Sequence, residues 1–124
     1  MNNEPYYFVG VVGSRDFKNK KIVLEVMSDL KETPEIGITS GGARGVDTWA
    51  EEFCREHDMS ITVLRPIDPS IKINYLYRDV EIVATSNEII AFWNGESKGT
   101  KFIIDYAKAR NKKVTVYDEN GNVI

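Results

Sequence analysis

The sequence predicts a doubly wound α/β fold: a mainly parallel sheet between two layers of helices, three layers in all. Three observations predict it. Apolar, β-branched runs alternate with segments of helical period along the 124 residues, as expected of strands covered on both faces. Six of the nine glycines, Gly13, Gly41, Gly42, Gly45, Gly95 and Gly99, fall just after strand-like runs, where open parallel sheets hold their ligands. Right-handed crossovers then give the strand order 3-2-1-4-5 most simply. The length suits one domain, 1–124, with a single core.

The first strand is expected at 6–12, where Tyr6 to Val12 is hydrophobic, and Gly13-Ser14-Arg15-Asp16 turns the chain into a helix over 18–31. The second strand, 36–40, ends on Ser40. The helix at 45–57 is the clearest: Val46, Trp49, Ala50, Phe53, Cys54 and His57 form one stripe, with Asp47, Glu51, Glu52 and Arg55 on other faces. Strands at 60–65, 87–92 and 113–117 and helices at 74–85 and 99–110 complete the alternation. The tail from Asp118 to Ile124 contains an Asn-Gly pair, which suits a short antiparallel return or a surface flap.

Composition narrows the function. A formal charge of −3 argues against broad electrostatic binding of nucleic acid, which depends on Lys and Arg neutralising phosphates. A local basic pocket is still available to Arg15, Arg44, Arg78 and Lys98, whereas Lys18, Lys20, Lys21, Lys112 and Lys113 lie in polar stretches that read as solvated faces. No apolar run approaches the roughly 20 residues of a membrane helix. The stretch from Met1 to Pro5 has neither a basic region nor an apolar signal core, so a cytoplasmic protein with loosely held first residues is expected. With one cysteine and one histidine, neither an internal disulfide, a zinc site nor a Cys–His dyad can be assembled. Cys54 reads as core and His57 as a packing or capping residue. No metal and no cofactor is expected.

The run Ser40-Gly41-Gly42-Ala43-Arg44-Gly45-Val46-Asp47 reads as a phosphate cradle, because glycines admit close backbone approach and the free N–H groups of the next helix point into the turn. A second loop, Trp93-Asn94-Gly95-Glu96-Ser97-Lys98-Gly99-Thr100, occupies the equivalent place after the fourth strand, and Gly13-Ser14-Arg15 after the first. In the expected strand order all three converge on one crevice. Arg44 can offer paired donors to a phosphate, and backbone N–H groups from Gly42 to Gly45 and from Gly99 to Lys101 can bind further oxygens. Asp47 has two readings: it complements the dipole at its helix start, or it accepts from a ribose hydroxyl or from Arg15. Trp93 either packs like the other aromatics or covers a base or ribose. Arg78 and Asp79 are a solvated pair or a wall of the site.

These residues resemble the SLOG superfamily of Rossmann-like nucleotide-binding domains, which includes the DNA-processing protein Smf, the lonely-guy phosphoribohydrolases and small YspA-like proteins. Gly13-Ser14-Arg15, the Ser40 to Asp47 run, Tyr77-Arg78-Asp79 and Gly95 to Thr100 stand in family order. The resemblance implies a nucleotide, a nucleotide-derived molecule or a nucleic-acid phosphate at the strand ends, and it favours Arg78 and Asp79 as a wall of the site. The chain departs from the lonely-guy pattern P-G-G-x-G-T-x-x-E, whose Glu cleaves the N-glycosidic bond: Gly99-Thr100-Lys101-Phe102 is followed by Ile103, and neither Glu96 nor Asp105 keeps the spacing. It departs from the Smf branch in its acidity and in lacking a winged-helix pattern within these residues. The expectation is a small nucleotide-binding or nucleotide-sensing module with no assigned reaction. The alternatives are an N-glycosidic hydrolase or transferase and a nucleic-acid-binding accessory protein. Apolar residues beyond one stripe, Ile71, Ile73, Tyr75, Leu76 and Tyr77 before the third helix and Phe102, Ile103, Ile104 and Tyr106 around the fourth, further suggest a homodimer or higher homo-oligomer.

Overall fold

The computed structural model describes residues 5 and 7–124; the expectations for residues 1–4 and for Tyr6 lie outside the described residues. Five strands, β1 (Tyr7–Gly13), β2 (Ile36–Ser40), β3 (Ser60–Val63), β4 (Glu88–Phe92) and β5 (Lys113–Tyr117), alternate with α1 (Lys20–Lys31), α2 (Val46–Glu56), α3 (Lys72–Thr85) and α4 (Lys98–Ala109). The strands form one sheet in the order β3-β2-β1-β4-β5, and every ladder between them is parallel. The expected order is thus the observed one, and β1 is the central strand.

Both faces of the sheet are covered by apolar layers. Val9, Val11, Ile38, Ile90 and Phe92 meet α1 and α2 through Val23, Met27, Val46, Ala50 and Cys54. Val12, Ile89, Ala91 and Val116 meet α3 and α4 through Ile82, Val83, Ile103, Ile104 and Ala107. This corrects one expectation for α4: Ile103 and Ile104 are buried, while Phe102 and Tyr106 stack at 5.6 Å and pack beside the core. Among the described residues the large apolar side chains that remain exposed are Ile67, Ile71, Ile73, Leu76 and Tyr77, around the start of α3, and Val123 and Ile124 at the end of the chain.

The sequence places the helix ends within two residues, and the differences have local causes. Helix α1 starts at Lys20 because the Asn19 side chain accepts from the Ile22 N–H. Helices α2 and α4 are followed by the left-handed residues Asp58 (φ 53°) and Asn111 (φ 60°), which end them where a right-handed turn cannot continue. Strand β3 stops at Val63, short of the expected 65, because Leu64 makes the last ladder-like bond, to the Ser40 carbonyl, and Pro66 follows. At the C-terminus an isolated antiparallel bridge joins Tyr117 and Val123, the short return expected of the Asn-Gly tail. The Glu119 carboxylate there accepts from the Lys18 and Asn19 N–H groups and closes the start of α1.

His57 is the C-cap of α2, its ring 4.1 Å from that of Phe53. Burial, with the charge of Glu51 adding to it, pushes the Cys54 thiol up to about 11, so it is an inert core thiol.

Candidate functional site

The loops after β1, β2 and β4 open on the same edge of the sheet and enclose a cleft of about 440 Å³, at the carboxyl ends of the strands where the winding reverses between β1 and β4. Close packing holds the loops together. A Cβ on Gly13 would lie 2.5 Å from Val46 Cγ2 and 2.9 Å from the Phe92 carbonyl, so only glycine lets α2 start against the end of β1. Gly45 has φ +80°, and a Cβ there would lie 2.7 Å from the Arg15 carbonyl, which locks the second loop against the first. Ser14 joins the first loop to the third: its N–H donates to the Phe92 carbonyl, its hydroxyl donates to Asn94 Oδ1, and it accepts from the Asn94 N–H. Asn94 Oδ1 also accepts from the Glu96 and Ser97 N–H groups, the local turn chemistry expected of Asn. Ser97 then caps α4 by accepting from the Thr100 N–H.

Eleven of the sequence-derived candidates line the cleft: Gly13, Ser14, Arg15, Gly41, Ala43, Asp47, Arg78, Asp79, Ser97, Gly99 and Thr100. The others stand apart. Ser40 is fully buried, donating to Glu51 Oε2 at 2.9 Å. Gly42 lies in a neighbouring groove, while Gly45 and Gly95 shape their loops at positive φ. Trp93 packs beside the second core layer with its Nε1–H donating to the Ser97 carbonyl, so its indole serves the third loop from behind. Arg44 points outward, its side chain 75% exposed and 3.8 Å from Asp16; the cleft's guanidiniums come from Arg15 and Arg78 instead.

Arg78 is the most constrained of these. Its Nε–H donates to Asp79 Oδ1 at 2.8 Å, its Nη1 donates to the Gly41 carbonyl, and its guanidinium sits 5.5 Å from the Tyr75 ring centre. Arg15 approaches the same ring at 5.9 Å. Two cations on one aromatic ring form a flat, positively charged lip, opposite the first turn of α4, whose Lys98 and Gly99 N–H groups have no acceptor within the helix.

Helix α2 presents an unexpected face. The amphipathic reading puts Asp47 and Glu51 on outward faces, yet both are buried: one turn apart, they form a polar seam under the second loop. Asp47 Oδ2 accepts from the Ala43 N–H at 3.1 Å, while Oδ1 is buried and has no partner. Burial pushes this carboxyl up to about 7, with the charges of Glu51 and Asp79 adding to it and the Ala43 N–H and Arg78 opposing. Burial likewise raises Asp79, against the hydrogen bond and charge of Arg78. The sequence also conceals Arg65, whose Nη1 donates to the Gly42 carbonyl at 3.1 Å; its place two residues past the end of a parallel strand is the signal that marks it.

Among the described residues no helix is long and apolar enough to cross a membrane, and no group of three or more His, Cys, Asp or Glu side chains is placed to hold a metal ion.

No family model and no curated protein matches the sequence. Solved structures do. The DNA processing protein A of Helicobacter pylori, described for its single-stranded DNA binding mode, aligns at 22% identity with a TM-score of 0.76 over 90% of this chain and 65% of its own. The DNA processing protein A of Streptococcus pneumoniae aligns at 19% identity and a TM-score of 0.80, over 90% and 50%. The structural-genomics protein TM1055 aligns at 20% and 0.73, over 88% and 72%. This chain therefore spans about half to two thirds of the two DNA processing proteins. At these identities the likeness establishes the fold alone: a Rossmann-like α/β domain with five parallel strands in the order β3-β2-β1-β4-β5.

Proposed function

We propose that the cleft binds a nucleotide or nucleotide-derived molecule, and that the protein acts as a binding or sensing module. The observation that carries this is the convergence of three loops on one cleft that has two guanidiniums on one side and a helix N-terminus on the other. Hydroxyls of Ser14, Ser97 and Thr100 stand between them. Phosphate suits the charged groups, and the Tyr75 ring offers a stacking face to a base or ribose.

Gly99 provides the test. A Cβ built there meets nothing within 4 Å, so Gly99→Ala leaves the fold intact and, as a helix position, changes stability by at most about 1 kcal/mol. A methyl in the path of the phosphate is expected to weaken binding at least about tenfold. Calorimetric titration with the nucleoside phosphate that most raises the melting temperature measures this. Equal affinity of Gly99→Ala and the parent would remove the first turn of α4 from the site.

Binding rather than turnover is expected because Ile103 is part of the cleft wall where the lonely-guy pattern has its carboxylate. Glu96 is exposed, and Asp105 pairs with Lys101 at 2.7 Å. Loss of a general acid or base costs about 10²–10⁴ in rate. Incubation with nucleoside 5′-monophosphates should release no base above background; sustained release abolished by Asp47→Asn would instead make the protein an N-glycosidic enzyme using a different carboxyl. The likeness to a protein described as binding single-stranded DNA favours a nucleic-acid partner as the second reading, and short single-stranded DNA belongs in the same titrations.

We further propose self-association through the exposed start of α3. Ile71, Ile73, Leu76 and Tyr77 stand together there, and an apolar patch of this kind suits a two-fold interface. Light scattering should give a mass clearly above the 14.1 kDa of one chain, reduced to that value by Ile73→Asp. A parent mass of one chain rules the dimer out.

A further inference from the structure

Resting on the reading that the cleft takes a nucleotide, we propose that the groove beside it is a second phosphoryl site. The preferred ligand then carries two phosphoryl groups, joined as a pyrophosphate or through a phosphodiester.

The groove, about 350 Å³, shares Arg15, Gly41, Tyr75 and Arg78 with the cleft and adds Arg65 at its far side. The two spaces meet along the Tyr75 ring, so a ligand can run from one into the other past both cations on that ring. The backbone between them is what positions the charges. Successive carbonyls of the Gly41-Gly42 turn each seat one guanidinium, Gly41 that of Arg78 and Gly42 that of Arg65. Each arginine spends one Nη on a neutral carbonyl and keeps other N–H groups of its five-donor fork for an anion.

Charge counting separates a second site from a brace. Among the described residues Arg15 has no carboxylate within salt-bridge distance and donates no hydrogen bond. Arg78 is balanced by Asp79. Arg65 is 61% exposed and lies 3.9 Å from Glu51, which Arg55 also approaches at 3.7 Å. A phosphoryl group in the main cleft already faces Arg15 and Arg78. A third guanidinium beyond them, in a chain of net charge −3, is in excess for one anion and placed for another. Pro66 and Pro69, both lining the groove, restrict the backbone that carries Arg65.

The experiment compares three probes in adenine and guanine series: the nucleoside 5′-monophosphate, the pyrophosphate-linked nucleoside diphosphate-ribose, and the 5′-phosphorylated dinucleotide. At least one two-phosphoryl probe is expected to bind about tenfold tighter than its monophosphate. Arg65→Gln should abolish that advantage at a much smaller cost to the monophosphate; which probe gains identifies the linkage. Equal affinity of all three probes, or an Arg65→Gln loss as large for the monophosphate as for the others, overturns the second site while leaving nucleotide binding in place. If no probe binds the parent, nucleotide binding itself fails and the second site falls with it.

Discussion

Asp47→Asn should make the protein about 2 kcal/mol more stable at pH 8 and less stable at pH 5, a reversal of sign that few surface substitutions produce. The carboxyl is 6% exposed, one oxygen has no partner, and burial raises it from an ordinary value of 3.8 to about 7. Between those values the native protein holds a proton that the unfolded chain has released. Stability from this group is therefore complete below about pH 4 and is lost as pH rises through 7. At about 1.4 kcal/mol per pH unit the loss amounts to about 4 kcal/mol by pH 8. Asparagine removes that loss and its oxygen can still accept from Ala43, but it buries an amide donor with no acceptor, at about 1–3 kcal/mol. Urea unfolding of both proteins at pH 5 and pH 8 measures the difference. The same stability difference at both values would mean that Asp47 is ionised in the native state throughout.

Arg78→Ala should produce the largest loss, about 3–5 kcal/mol at pH 8, as expected when one partner of a buried ion pair is removed. The pair is 2.8 Å apart, with side chains only 10% and 12% exposed, and the same guanidinium covers the Gly41 carbonyl and lowers Asp47. Removing it leaves two buried carboxyls without their cation, so the loss should shrink toward pH 5, where Asp47 takes up a proton. Arg78→Lys restores the charge but cannot reach Asp79 and Gly41 with a flat fork, so recovery should be partial. A loss below about 1 kcal/mol at pH 8 would mean that the pair behaves as an exposed one.

The fold is legible in the chain because its signals agree: apolar runs of strand length, a helical stripe from Val46 to His57, and glycines in the turns after β1, β2 and β4 on one edge. The three loops are legible for the same reason. Side-chain direction inside the loops is not. Arg44 sits in the motif yet points to solvent, because Gly45 must take a positive φ to pass the Arg15 carbonyl and the turn carries Arg44 outward with it. Asp47 and Glu51 read as exposed because a helical wheel assigns charges to water. Here the surface they would occupy is covered by loops contributed by β2 and by the segment after β3, which period alone cannot reveal. Arg65 is hidden for a related reason: its role depends on the Gly42 carbonyl, 23 residues away.

The strand order also has a consequence for synthesis on the ribosome. The first strand made, Tyr7–Gly13, is the middle one. Its partner on one side, β2, emerges soon after, but its partner on the other, Glu88–Phe92, is some 80 residues further along. Until Glu88–Phe92 is made, the segment that precedes it holds at most half a sheet with an apolar, unpaired edge at β1, the kind of edge that recruits other chains. Folding of this domain is therefore expected only after residue 88 is made, and a ribosome-bound chain stalled before it should need a chaperone that the folded domain does not.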